Sequence, residues 1–211
     1  MNKIFRISLV VTAIAALLHG GLPSNADPVT SKPIKIEVSV EHRGNFEIAL
    51  YPKAAPKTVA HFVALVNRKF YNGILFHRVI PGFVAQAGDP NSRKVDGSKI
   101  AHLSDTEVGA QYGLGMGGSG TNVPFENNSL TNKPGTIAMA LSAPQSDTGD
   151  SQFFINLAYN QSLDGQYCVF GKVVKGMDIV MKIHQGDRIA SMKVVGLSST
   201  KKTAKKADGK K

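Results

Sequence analysis

Arg78 stands in apolar company. The run Phe76-His77-Arg78-Val79-Ile80-Pro81-Gly82-Phe83-Val84-Ala85-Gln86 holds one guanidinium among aliphatic and aromatic side chains. A charge so placed is costly unless it is paired or used. The Pro-Gly pair predicts a turn between two short strands. On the first strand, Phe76, Arg78 and Ile80 share one face, and Leu75, His77 and Val79 the other. A second run, Ser151-Gln152-Phe153-Phe154-Ile155-Asn156, puts Gln152, Phe154 and Asn156 on one face. It leaves Phe153, Ile155 and Leu157 to fill the core. If the two polar faces meet, they form an apolar pocket with a few fixed donors, the usual make-up of a ligand site. If they do not, Arg78 is an edge residue snorkelling to water and the amides lie on an outer surface. Spacing alone leaves both readings open.

Other chemistry finds less support. Gly113-x-Gly115-x-x-Gly118 and Gly115-x-Gly117-x-x-Gly120 match the dinucleotide fingerprint in form. No clear strand precedes them and Pro124 follows soon after, so the required context is absent. No GxxxxGK[ST] phosphate loop occurs. The six histidines are scattered without metal-ligand spacing, so no metal and no cofactor are expected. A Ser-His-Asp set stays open on residue types, but no Gly-x-Ser-x-Gly elbow supports one. Cys168 is the single cysteine. It cannot form an internal disulfide, and Tyr-Cys-Val-Phe reads as a small buried hydrophobe.

These groups must be held by elements of a modest chain. It has 211 residues, 42% of them hydrophobic, enough for one domain with short appendages. The formal net charge of +10 is uneven: residues 1–26 carry +2 and residues 200–211 carry +5, leaving +3 on the body. A mildly basic body argues against a nucleic-acid partner. Residues 1–26 have a positive start at Lys3 and Arg6, an apolar run from Ile7 to Leu18, and the small-residue site Ser24-Asn25-Ala26. That is the layout of a cleaved signal peptide, which predicts a periplasmic or secreted protein. A eukaryotic secretory route is the weaker alternative. Residues 27–33 read as a linker, 34–199 as the domain, and 200–211 as a disordered Lys-rich tail, solvated or resting on an anionic surface.

Within the domain, Ile34–Val40 and Phe46–Leu50 alternate and predict a hairpin. Pro56–Phe70 spaces Val59, Phe62, Val63 and Val66 as one face of a helix. Residues 88–128 are polar, Gly-rich and aperiodic, and read as long surface loops of the functional kind. Further strands are predicted at 135–141, 151–157, 168–174 and 189–197, and a short helix at 177–183. Strands joined by turns argue for an antiparallel barrel or sandwich.

Five blocks taken together carry a resemblance. They are Phe76 to Phe83, Gln86-Ala87-Gly88-Asp89, Ser151 to Ile155, Leu163-Asp164-Gly165 and Val169-Phe170-Gly171. In order and spacing the chain resembles the cyclophilin family of peptidyl-prolyl cis-trans isomerases over most of 34–198, least across 89–134. The resemblance implies an all-β dominated domain: an eight-stranded antiparallel closed β-barrel capped by two α-helices, with the active site on its outer face. By position, Arg78 resembles the catalytic arginine. Phe83, Val84, Phe154 and Leu163 resemble the walls of the proline pocket. Gln86 and Gln152 resemble the amides that hold the substrate backbone. Ala140, Leu141 and Tyr167 resemble further groove residues. Leu141 stands where many members have Asn, Val84 where Met is usual, and Tyr167 where His is usual, as in exported bacterial members. Ser162 stands where an aromatic is usual, which weakens the expectation of cyclosporin binding. Ser142–Asp150 is about two residues longer than in cytosolic members.

These residue types suit that reaction. An X–Pro amide resists rotation with a barrier of ~18–20 kcal/mol. No bond to carbon need form or break, so no nucleophile or cofactor is needed. In the twisted state the prolyl nitrogen regains its lone pair. A permanent donor such as Arg binds that state better than either planar one. The expected partners are unfolded or proline-containing polypeptides, met by a monomer. Two alternatives remain at this level: a proline-segment-binding chaperone module with incidental turnover, and a structural barrel anchored by its tail.

Overall fold

The computed structural model describes residues 33–195. The expected signal peptide, all of the linker but residue 33, and the Lys-rich tail lie outside the described residues. So do residues 196 and 197 of the last expected strand.

Eight strands form one antiparallel sheet. They are β1 (Ile34–Val40), β2 (Gly44–Leu50), β3 (Arg78–Ile80), β4 (Val84–Ala87), β5 (Thr136–Met139), β6 (Phe153–Asn156), β7 (Val169–Lys175) and β8 (Ile189–Val195). Their order is β3-β4-β6-β5-β7-β2-β1-β8. The closed barrel expected from the family resemblance is not what forms. The sheet curls into a half-barrel, and β3 and β8 are its two unjoined edges. The reason lies at the short strand β3. Its Val79 amide donates to the Gln185 side chain at 3.3 Å, not to a strand carbonyl. The segment just before β3 reaches the start of β8 instead: around the Leu75–Arg188 pair, the Gly73 amide donates to the Ile189 carbonyl and the Phe76 amide to the Asp187 carbonyl, each at 2.8 Å.

The inner face carries the main core. Phe46, Ile48, Phe153, Ile155 and Phe170 are buried there, with Val59, Phe62, Leu65 and Val66 of helix α1 (Pro56–Asn67) closing it. Phe62 packs on Tyr71, Phe153 and Phe170 with ring centroids 4.9, 5.4 and 5.1 Å apart. Each such side chain contributes ~1.5–3 kcal/mol by leaving water. The Tyr71 hydroxyl, buried here, donates to the Ser151 carbonyl at 3.1 Å. Helix α1 starts at Pro56 as its sequence predicts but stops at Asn67, short of Phe70. Lys69 takes φ 57°, which no α-helix continues through. Cys168 is buried as expected, and burial pushes its thiol up to about 11.

Two expectations fail in the central segment. Residues 88–128 are not all loop: they include helix α2 (Asp105–Tyr112), which with α3 (Met177–Val180) makes three α-helices among the described residues. Helix α2 sits on its own small core of Leu75, Ile100, Val108 and Leu114. Phe76 and Arg78 do not share a face either. The strand begins only at Arg78, so alternation does not reach back. Phe76 packs in the inner core, and the chain crosses the sheet at His77.

Candidate active site

Strand register builds the outer face. Arg78 pairs with Gln86, Gln86 with Phe154, Phe154 with Ala138 and Ala138 with Val169. One row across five strands thus places a guanidinium, an amide and a phenyl ring side by side. The alternate residues of the same strands, Val79, Ala85, Ile155 and Ile137, face the core. The phase read for 151–157 is the phase observed. Val84, Ala138, Phe154 and Val169 are buried in a second apolar cluster on the outer face, flanked by Phe83, Ala140, Leu163 and Tyr167.

Nine of the ten expected site residues line one cavity of about 190 Å³: Arg78, Phe83, Val84, Gln86, Ala140, Leu141, Phe154, Leu163 and Tyr167. That is smaller than the ~300–1,000 Å³ of sites for drug-sized ligands, and suits a single compact apolar group. The tenth, Gln152, lines an adjoining cavity of about 640 Å³, which shares Gln86, Ala140 and Leu141 with the first. Ala140 and Leu141 lie just past the end of β5. The Ala140 amide still donates to the Gln152 carbonyl at 3.0 Å, which keeps them in the groove.

Hydrogen bonds fix the polar groups. Gln86 Nε2 donates to Gln152 Oε1 at 3.0 Å, and Gln152 Nε2 donates to the Gly117 carbonyl at 2.8 Å. Arg78 Nε donates to Asp105 Oδ2 at 2.6 Å, and its guanidinium lies 5.7 Å from the Phe83 ring centroid. The Phe83 carbonyl is held by the Leu157 amide at 2.8 Å and Asn160 Nδ2 at 2.9 Å. Asn160 in turn donates to Asn156 Oδ1 at 2.7 Å. Asn156, read as a site-face residue, points outward but is wholly buried beneath the pocket as a brace. Phe154 and Tyr167 meet edge to face at 5.6 Å. Ser162 is exposed on the 3₁₀ turn that carries Leu163.

His77 is 3% exposed, and neither ring nitrogen has a hydrogen-bond partner among the described residues. Burial lowers it to about 4, Arg78 adding to that and Asp89 opposing it. The imidazole beside Arg78 is therefore neutral at pH 7.

The Gly-rich run wraps two carboxylates. The Gly115 and Gly117 amides donate to Asp89 Oδ2 at 2.7 and 2.9 Å, and the Gly120 amide to Asp150 Oδ2 at 2.9 Å. A side chain at Gly117 would collide with Asp89 Oδ1, so the loop needs glycine to wrap that carboxylate. The loop then walls the larger cavity. Sequence reading missed this wall, and it missed Asp105. The signals were present: Ser104 and Glu107 form a capping box, and Gly113 ends α2 at φ 63°. Among the described residues no group of three or more His, Cys, Asp or Glu side chains is placed to hold a metal.

Known proteins are similar to this chain. The family model described as cyclophilin type peptidyl-prolyl cis-trans isomerase/CLD matches residues 34–202. Peptidyl-prolyl cis-trans isomerase B of Bacillus subtilis is 38% identical over 159 residues, covering 74% of this chain and 95% of that protein. Peptidyl-prolyl cis-trans isomerase A of Dickeya dadantii is 44% identical over 150 residues, 67% of each chain. A crystal structure of a Cryptosporidium parvum cyclophilin type isomerase, in the presence of the dipeptide Ala-Pro, shares the fold. Its TM-score is 0.62 at 24% identity, over 77% of this chain and 99% of that one. A match across nearly the whole described domain, with relatives well above the identity at which fold alone is shared, settles the family: the chain belongs to the cyclophilin-type peptidyl-prolyl cis-trans isomerases.

Proposed function

We propose that this chain isomerises X–Pro bonds of proline-containing polypeptides with Arg78 as the donor to the prolyl nitrogen. The observation that carries the reading is the row Arg78, Gln86, Phe154, which sets a permanent donor beside a cavity sized for one ring and walled mostly by apolar side chains. The prolyl ring enters between Phe83, Val84, Phe154 and Leu163. The linked amides of Gln86 and Gln152 hold the acyl side's backbone. Arg78 Nε is engaged by Asp105, so the two Nη groups are the ones that meet the substrate. Apolar walls exclude water and strengthen that bond as the amide twists. The nitrogen's lone pair exists only in the twisted state, so the donation is differential. Export through the signal peptide would deliver the activity to unfolded chains outside the cytoplasm, with the protein acting as a monomer and without a cofactor.

Arg78→Ala, measured on a short Ala-Pro peptide, is expected to lose ~10²–10³-fold in kcat/KM, the scale of one lost transition-state donor. The circular dichroism spectrum should be unchanged, since Arg78 is half-exposed. Near-normal turnover in a folded variant would overturn the reading.

A further inference from the structure

We infer that Asp105 is a positioning residue for the reaction: it holds the Arg78 guanidinium by Nε so that the Nη groups face the cavity. The inference rests on the reading of Arg78 as the donor. Arg78 reaches the pocket on a long side chain with much rotamer freedom to lose. The backbone of a three-residue edge strand does not choose among those rotamers. Two contacts do. Asp105 Oδ2 accepts from Nε at 2.6 Å, and the Phe83 ring lies 5.7 Å from Cζ. Among the described residues the Nη groups have no hydrogen-bond partner. A guanidinium fixed at Nε still presents its Nη end in one plane.

As a stability device this pair would be poor. The Arg78 and Asp105 side chains are 30% and 41% exposed, and exposed ion pairs contribute little to folding. Yet the structure around Asp105 is built to keep it in place. Asp105 is the first residue of α2, where a carboxylate is favoured by the helix dipole. The capping box fixes that end: Ser104 N and Oγ donate to Glu107 Oε2 at 2.8 and 2.7 Å. Gln185 ties the helix entry to the catalytic strand. Its Nε2 donates to the Ile100 and Leu103 carbonyls at 2.7 and 2.8 Å, while its Oε1 accepts from the Val79 amide at 3.3 Å. The small core beneath α2 includes Leu75, three residues before Arg78. The same segment thus supports Arg78 and Asp105 and sets the distance between them.

The test is Asp105→Ala, Asp105→Asn and Arg78→Ala on an uncharged Ala-Pro peptide, with kcat and KM resolved. Asp105→Ala should lower kcat about tenfold with KM nearly unchanged, since only the oriented donor is lost. Asp105→Asn, whose amide oxygen still accepts from Nε, should recover most of that loss. A loosened groove would raise KM in both variants and show no such rescue. Raising ionic strength should slow the wild type and leave Asp105→Ala unmoved, because an exposed pair is screened. In the Arg78→Ala background, Asp105→Ala should change nothing further. If Arg78→Ala is inactive while Asp105→Ala keeps wild-type kcat or exceeds it, the positioning role falls and the donor reading stands. If Arg78→Ala is itself active, both fall.

Discussion

The two faces of one sheet are both buried, and they are buried for different ends. On the inner face Phe153, Ile155 and Ile137 are buried in the main apolar core, closed over by α1. On the outer face Phe154, Val84 and Ala138 are equally shielded, yet they adjoin a guanidinium, two amides and an open cavity. The inner face is what makes the domain fold. The outer face accepts polar groups beside apolar ones, which folding alone does not favour. Strand β6 shows the contrast within four residues, sending Phe153 one way and Phe154 the other. Burial by itself therefore does not separate core from site. The company of each side chain does.

Substitutions on adjacent residues can break this contrast. Phe153→Ala should cost about 3–5 kcal/mol in urea unfolding, because a closed core cannot collapse fully around the gap. Its folded fraction should keep a near-normal KM. Phe154→Ala should cost less, about 1.5–3 kcal/mol, since the lining already meets an open cavity and the transfer term dominates. It should instead lose most of its kcat/KM. Equal stability losses, or equal activity losses, would erase the distinction.

His77 sits where the chain passes from one face to the other. Its folded value of about 4 lies below the ordinary 6.5 because it is buried. The unfolded state therefore binds the extra proton between pH 6.5 and 4, and stability falls as pH drops through that window, by about 3 kcal/mol in all. His77→Leu should flatten the acid limb measured by urea unfolding at stepped pH. An unchanged slope would mean that another group carries the acid sensitivity.

Smaller effects sharpen the outer face. Gln86→Ala removes one partner of the linked amides and should lower kcat/KM about tenfold, near the ~1 kcal/mol typical of one hydrogen bond with some loss of Gln152 orientation. Ser162→Trp adds an aromatic at the exposed pocket rim. It should change stability by less than ~0.5 kcal/mol while tightening cyclosporin binding measured by calorimetry. No gain in affinity would show that the pocket, not its rim, limits that ligand.

Much of this was legible in the chain. The hairpin of β1 and β2, helix α1 from Pro56, and the inward and outward phase of β6 follow from periods of 2 and 3.6. Helix α2 was not legible by period, because Val108 is its one buried residue and no second large aliphatic recurs at helical spacing. Only its cap and its terminal glycine announced it. The extent of β3 was misread because Phe76 and Arg78 sit two apart in a run that is not yet a strand at Phe76. Closure of the barrel failed for a related reason: a three-residue edge whose amide is taken by the Gln185 side chain offers little to pair with.

By itself the sequence determined which side chains alternate, which helix ends are capped, and which family's blocks are present, because each of these is written in neighbouring residues. Only the tertiary structure decided that Gln86 stands beside Phe154, and that Asp105 reaches Arg78 from 27 residues away. Those neighbours belong to strands and a helix that are not consecutive in the chain. Their register is fixed by inter-strand hydrogen bonds and by which faces must be dry, and no local pattern encodes it.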